Sequence, residues 1–265
     1  MILITKRLKE ACIFHLTVIK FVLLVLTGTI AAIVDCIAGS GGLITVPVLL
    51  VMGVSPIYAL GTNKLQEPVG QIIATRRFFR TGELSWAFIA TIAACSVVGV
   101  SLGVVLVQSL HEALLQKILP ILLMLIIIYS ISSKGLLSSQ LHSKLTITSF
   151  SFIFGFGVGF YNGFFGPGTG LLWTAAFIYF LAMDVRLATM YAKPANLCCN
   201  MIALVWFLLH GTVLYKAAGA LMIGGVAGSC VGSHLVIKKG KRVVKPFFIV
   251  MTLLLTTDLF IKAMH

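Results

Sequence analysis

The chain has 265 residues, of which 59% are hydrophobic and only 10% charged, with a mean hydropathy of +1.09. So few charges among so many apolar side chains exclude a soluble globular domain, and the longest polar stretch, Ser132 to Lys144, is too short and too broken by leucines to form one. The formal net charge of +13 sits mainly at the ends of apolar runs, where Lys and Arg set orientation and meet lipid headgroups; it points to a lipid bilayer rather than nucleic acid, and its field favours an anionic substrate.

In chain order, the opening MILITKRLKEACIFHLTVIK places cations before an apolar run without a small-residue cleavage site, and reads as the start of an uncleaved first span. Apolar segments follow at Leu16–Ala38, Leu43–Met52, Tyr58–Ile73, Trp86–Val107, Leu114–Ile131, Ile147–Phe165, Leu171–Met183, Ala192–Leu209, Ala217–Ile237 and Phe247–Ile261. The second and seventh are too short to cross a ~30 Å hydrocarbon core as helices and are expected to be broken or re-entrant elements. The pattern predicts an all-α, polytopic membrane protein with one membrane domain over residues 1–265, multi-pass.

The short segments are flanked by unusual sequence. Asp35 to Lys64 reads DCIAGSGGLITVPVLLVMGVSPIYALGTNK, dense enough in Gly and Pro to break any helix. Broken backbone at membrane depth is tolerated only inside protein or beside a watery cavity, so the stretch reads as a site. The chain then repeats the device: Gly166-Pro167-Gly168-Thr169-Gly170 opens the second short segment, and Lys193-Pro194-Ala195-Asn196 the next long one.

A shift of 129 positions superimposes the two. Lys64 falls on Lys193, Gly39 and Gly41 on Gly168 and Gly170, Ala59 on Ala188, Gly82 on Gly211, Gly99 and Gly103 on Gly228 and Gly232, and Trp86 on Tyr215. This predicts two homologous repeats, about residues 16–131 and 147–262. Five segments per repeat make the repeats inverted if the short segments reach the far side and parallel if they are re-entrant; inversion is the favoured reading. Inversion also puts the clusters Arg76-Arg77-Phe78-Phe79-Arg80 and Lys238-Lys239-Gly240-Lys241-Arg242 on one side, as the positive-inside rule asks, at the expense of an outward-facing Lys6, Arg7 and Lys9.

Helix N-termini present N–H groups without partners and the positive end of the helix dipole, and glycine lets backbone approach a ligand. Gly39, Gly41 and Gly42, with Gly166, Gly168 and Thr169, are therefore candidate anion-binding residues, against the plainer reading of close helix packing. Lys64 and Lys193 each open a long apolar segment; an intramembrane cation costs about 2.5–3.5 kcal/mol and faces a cavity or a partner, the alternative being a side chain that snorkels to the headgroups. Thr62, Asn63 and Asn196 lie in the same stretches and can hydrogen-bond an oxyanion, whereas Asn200 and Gln71, deeper in their segments, read as helix glue. Asp35 and Glu67 are the proton-coupling candidates; the alternatives are a backbone hydrogen bond at the break for Asp35 and a structural pair with Lys64 for Glu67. Glu83, Glu112, Asp184 and Asp258 read as interfacial. The two Gly-x-x-x-Gly pairs read as packing faces. Six cysteines and six histidines have no metal-ligand spacing, and no nucleotide loop or nucleophile–base set appears, so neither a cofactor, a metal nor an enzyme activity is expected.

These segments also carry a resemblance. IAGSGGLITVP with GVSPIYALGTNKLQ, then GFYNGFFGPGTG, AKPANLCCN, HGTVLY and SHLVIKKGKRVVKP, resemble the TauE/SafE (sulfite exporter) family of membrane proteins, nearest its YfcA-like branch, over nearly the whole chain. The resemblance implies a bacterial inner-membrane transporter of sulfite or organosulfur anions. Its pattern carries over to Gly39, Gly41, Gly42, Pro47, Thr62, Asn63, Lys64, Gly166, Pro167, Gly168, Lys193 and Asn196. Ser40 stands where glycine is common, and Glu67 where a small or polar residue is usual. The expected function is secondary transport of a small anion by alternating access. An anion channel or a non-transporting partner subunit are the other readings, and homo-oligomerisation stays open.

Overall fold

A computed structural model describes residues 17–132 and 145–239. Within them are nine α-helices and no strand: α1 Val18–Ala38, α2 Gly42–Val51, α3 Pro56–Phe79, α4 Trp86–Ser109, α5 Glu112–Ser132, α6 Ile147–Phe164, α7 Thr169–Leu181, α8 Val185–Leu209 and α9 Tyr215–Lys239. The segment expected at Phe247–Ile261, the linker after Ser132, Asp258 and the first cationic residues lie outside the described residues.

Local chemistry sets the helix starts. Thr17, Ser85, Thr146 and Asp184 are N-caps whose side chains accept from amides in the first turn. Asp184 Oδ1 takes Arg186 N at 2.9 Å and Leu187 N at 3.4 Å, so α8 begins at Val185, well before the apolar run expected from Ala192. Likewise α3 extends from Pro56 to Phe79, past both ends of its apolar run. A few polar residues, Arg186 and Thr189 in α8 and Thr75, Arg76 and Arg77 in α3, interrupt the apolar run without interrupting the helix. Lys64 and Lys193 consequently do not open their helices. Each is the ninth residue of a helix of 24 or 25.

Helices α1, α4, α8 and α9 are long and apolar enough to cross a bilayer. Helix α3 is as long but carries Lys64, Glu67, Arg76 and Arg77. Helices α2 and α7, with 10 and 13 residues, are too short. Large apolar side chains such as Ile30, Leu102, Phe152, Val205 and Ile223 point outward, while Lys64, Lys193, Asn162 and Asn200 are buried. This is the arrangement a hydrocarbon solvent demands.

Two helix pairs pack backbone to backbone. A Cβ on Gly99 or Gly103 would lie 2.2 Å from the carbonyl oxygens of Phe156 and Phe160, so α4 lies directly on α6. A Cβ on Gly228 would lie 2.2 Å from Thr29 O, and one on Gly224 only 1.9 Å from Val25 O, so α9 lies in the same way on α1. Both Gly-x-x-x-Gly pairs are the packing faces expected of them.

Helices α3 and α8 cross in the middle, and their ends show how they run. Near the start of α3, Thr62 Oγ1 accepts from Leu214 N (3.0 Å), just beyond the end of α8. Near the start of α8, Tyr191 Oη accepts from Ser85 N (2.9 Å), just beyond the end of α3. Arg186 also grips Glu83 with both terminal nitrogens, at 2.7 and 2.8 Å. The two helices are therefore antiparallel. Helices α1 and α6, α3 and α8, and α4 and α9 each begin 129 residues apart.

Two measurements check this packing. Gly228→Leu forces α9 off α1 and should lower the thermal midpoint in detergent by several degrees, on the order of 2–3 kcal/mol, whereas Gly219→Ala, which meets nothing within 4 Å, should leave it unchanged. Arg186 holds the Glu83 carboxyl below its ordinary range, chiefly through their hydrogen bonds. A carboxylate lowered in the folded state stabilises above its unfolded pKa of ~4.3 and loses that contribution as pH falls below it. Glu83→Gln should therefore cost about 0.5 kcal/mol at pH 6 and close to nothing at pH 3.5, read as the difference in unfolding midpoint from the unaltered protein.

Candidate functional site

The two helix breaks meet. Helix α1 ends at Gly39, whose φ of 72° is the left-handed conformation that glycine adopts without strain. After α6, Gly166 and Gly168 have φ of 95° and 82°, and α7 starts at Thr169, whose hydroxyl donates to the Gly166 carbonyl. A Cβ on Gly39 would sit 2.5 Å from Gly170 C, and one on Gly170 2.5 Å from Gly39 O, so the two breaks touch through bare backbone. Gly42 also faces the second break, with Pro167 Cα 3.1 Å from its would-be Cβ. Both short helices begin at this junction; Leu43 N, Ile44 N, Thr169 N and Leu171 N already donate to the carbonyls of Ser40, Gly41, Gly166 and Gly168, so what the two N-termini bring there is chiefly the positive end of the helix dipole.

Each buried lysine reaches the break of the opposite half. Lys64, 1% exposed on α3, donates to Asn162 Oδ1 and to Asn200 Oδ1, both at 2.9 Å. Its ammonium lies where a Cβ on Gly166 would be, 2.5 Å away, so that glycine supplies room as well as backbone freedom. Lys193, 1% exposed on α8, places Nζ 2.8 Å from Asp35 Oδ2 at the end of α1. That contact is an ion pair without hydrogen-bond alignment: Lys193 Nζ and Asp35 Oδ1 are both buried without a hydrogen-bond partner.

Amides knit the centre together. Asn162 Nδ2 donates to Asn200 Oδ1 (2.9 Å), Asn196 Oδ1 (3.0 Å) and Thr169 Oγ1 (3.3 Å). Asn200 Nδ2 donates to Glu67 Oε2 (2.9 Å) and Gln71 Oε1 (3.1 Å). Asn200 thus stands between Lys64 and Glu67, which the sequence offered as a direct pair. Asn63 Oδ1 accepts from Thr45 Oγ1 (2.5 Å) and Gln66 Nε2 (2.9 Å), while Asn63 Nδ2 and Gln71 Nε2 are buried donors without acceptors. Lysine ammoniums, unpaired amide N–H groups and two helix N-termini converging on one spot are the chemistry of an anion or oxyanion site.

Of the residues expected at a site, Gly39, Gly42, Asn63, Lys64, Glu67, Gly166, Thr169, Lys193, Asn196 and Asp35 come together here. Gly41 packs against the Asp35 side chain and Ala31 O, and Gly168 against Ile126. Thr62 is committed elsewhere, to Leu214 N. Asn200 and Gln71 bind helix to helix as expected, but Asn200 also receives Lys64. Sequence reasoning did not single out Asn162, Gln66 or Thr45. Asn162 carried a usable signal, an amide in an otherwise apolar helix four residues before a break. Among the described residues, no group of three or more His, Cys, Asp or Glu is placed to hold a metal ion.

Long apolar helices around a buried polar centre, with two short helices broken into it, define a polytopic helical membrane protein with an internal polar site. The comparisons place it more closely. The family model described as Sulfite exporter TauE/SafE matches residues 24–259, and the chain belongs to that family. It is 35% identical over 232 residues to a "Probable membrane transporter protein" of Haemophilus influenzae, covering 88% of this chain and 91% of the relative. It is 35% identical over 230 residues to "Probable membrane transporter protein YfcA" of Escherichia coli, covering 87% and 86%. It is also 34% identical over 252 residues to "Probable membrane transporter protein ORF9" of a Sinorhizobium species, covering 95% of each. No solved structure matches the chain.

Asn200 is the hub of the network, so Asn200→Ala strips a partner from Lys64, Asn162, Glu67 and Gln71 at once. It should lower stability by about 3 kcal/mol, several times the effect of Thr27→Ala at an exposed hydroxyl, measured by thermal unfolding in detergent.

Proposed function

We propose that the chain is a secondary transporter that moves small organosulfur or sulfite-type anions across the bacterial inner membrane by alternating access. One observation carries the reading: two buried lysines, at matching positions of two antiparallel helices, each reach the helix break of the other half. The family's description as sulfite exporters supports the anion class. Both lysines are shut off from solvent, which favours a gated carrier over an open anion channel.

An inverted repeat supports the mechanism. Positions 129 apart exchange roles across the centre. Thr62 with Leu214 and Tyr191 with Ser85 are the same contact made twice, and Gln71 touches its own counterpart Asn200, as residues on a two-fold axis do. Rocking one repeat against the other would open the centre to each side in turn, with the anion held by the α2 and α7 N-termini, Asn63, Lys64 and Lys193.

The test is a thermal-shift screen of the purified protein against sulfite, sulfate, thiosulfate, taurine, sulfoacetate and chloride, with Lys64→Ala and Lys193→Ala alongside. A ligand at 100 times its Kd should stabilise by about 2.7 kcal/mol. At least one sulfur anion should raise the midpoint of the unaltered protein and not that of either variant. No shift with any anion, or a shift indifferent to both lysines, would remove the anion site.

A further inference from the structure

The polar centre holds two ammonium groups, Lys64 and Lys193, and two carboxyl groups, Asp35 and Glu67. With all four ionised, it is neutral before any solute arrives. An anion entering such a centre would leave one negative charge uncompensated away from water, which is costly. Something must leave, or a cation must enter with the anion.

We propose that Asp35 occupies on Lys193 the place of the transported anion, and that a single proton, taken up by Asp35 from the cavity it shares with Glu67, releases the lysine to the anion. Anion and proton then move together. The proposal rests on the transport reading above and adds its coupling.

Three observations carry it. The first is the contrast between the two lysines. Lys64 is held by two well-formed hydrogen bonds from neutral amide oxygens, contacts no proton can break. Lys193 is held by charge alone: Asp35 Oδ2 lies 2.8 Å away without hydrogen-bond alignment, and Asp35 Oδ1, more than nine-tenths buried as part of its residue, has no partner. Neutralising Asp35 removes the attraction and leaves no other bond between the two side chains.

The second is access. Asp35 and Glu67 line one narrow cavity of about 10 Å³ between α1, α3 and α9, walled also by Ala31, Gly41, Gln66 and Ser229. A space of that size, about one water molecule, admits a proton carrier and excludes the anion. Among the described residues, the charged or titratable groups around Asp35 are Cys36 beside it on α1, Glu67 from α3 with Arg77 further along, and Lys193 from α8; Lys64 lies on the far side of Glu67 in charge contact with it. Helix α9 brings only Gly225 and Ser229 to the cavity, and α2 has no titratable residue. Neutralising Glu67, whose carboxylate accepts from Asn200 Nδ2 at 2.9 Å, frees no lysine.

The third is asymmetry. The residues 129 positions after Ala31, Ala32, Asp35 and Gly70 are Phe160, Tyr161, Phe164 and Cys199. The small side chains and carboxylate that open the cavity in the first half are replaced by bulk in the second. One lysine alone therefore has both a carboxylate on it and a route for its proton. The exchange balances. The Asp35 carboxylate takes one proton and becomes the neutral acid, Lys193 keeps its ammonium, and the anion replaces the carboxylate at that ammonium. The net charge of the centre is unchanged, and one anion enters with one proton.

The experiment is calorimetric titration of the full chain in detergent with methanesulfonate and with 2-hydroxyethanesulfonate, both monoanions throughout about pH 6 to 8, in two buffers of different ionisation heat. The unaltered protein should take up about one proton per anion bound, with affinity falling about tenfold per pH unit at the alkaline end. Asp35→Asn should bind without proton uptake and with a flat pH profile, while Glu67→Gln should keep the uptake. If Asp35→Asn does not fold, the proton count of the unaltered protein and of Glu67→Gln still decide. Binding without proton uptake in the unaltered protein, uptake that persists in Asp35→Asn, or uptake lost in Glu67→Gln would each overturn the proposal while leaving transport standing. Failure of both anions to bind would tell instead against the transport reading.

Discussion

Two ammonium groups buried at the crossing of two helices set the terms for everything around them. A lysine at this depth is costly unless it is matched, and the fold matches each differently. Lys64 takes two amide oxygens and the space left by Gly166; Lys193 takes a carboxylate. To bring these partners in, α1 and α6 must end in mid-bundle, and the ends must come close enough for backbone to touch backbone. That closeness is available only because Gly39 and Gly170 lack side chains. The broken helices, the glycine clusters and the amide network are thus consequences of one requirement, the accommodation of charge in a low-dielectric interior.

The outer helices serve that centre by holding it in register. Helix α4 lies on α6 and α9 on α1, with glycines admitting carbonyl oxygens where a methyl group would clash. In hydrocarbon there is no hydrophobic effect to drive such association, so close packing supplies much of what holds the helices together. The two ends of the α3–α8 crossing are closed by different chemistry. One has the bidentate Arg186–Glu83 pair beside the Tyr191–Ser85 hydrogen bond. The other has the neutral Thr62–Leu214 and Gln108–Thr212 hydrogen bonds. The end that carries the ion pair responds to salt and pH where the wholly neutral end does not, so the two ends of one repeated plan differ in strength.

The asymmetry at the centre follows the same logic. A repeated architecture supplies two lysines and two breaks, but only one half keeps small residues and a carboxylate around its cavity. The second half has aromatic residues, Phe160, Tyr161 and Phe164, at three of the equivalent positions, and a separate ring cluster of Phe150, Phe154, Trp173 and Phe177 packs α6 on α7.

Much of this was legible in the sequence, for physical reasons. Apolar runs must be about 20 residues long to cross a bilayer, so hydropathy located the helices, and the two short runs betrayed the half-length elements. Glycine clusters and intramembrane lysines are costly enough to stand out at one constant spacing, which is why Gly39, Gly168, Lys64 and Lys193 are legible from the sequence. Hydropathy could not see that α3 and α8 continue through a few polar residues, which moved both lysines from helix ends to helix middles. Nor could it assign partners, since those depend on which faces meet across the bundle. Asn162 receiving Lys64, Asn200 standing between Lys64 and Glu67, Thr62 turned to Leu214, and Asp35 paired with Lys193 rather than with backbone are contacts between residues far apart in the chain. The sequence by itself determined that the chain lives in a membrane, where it breaks, and which residues are too costly to be there by accident. Only the tertiary structure decided which lysine is already neutralised, because that is settled by the few ångströms between side chains on different helices.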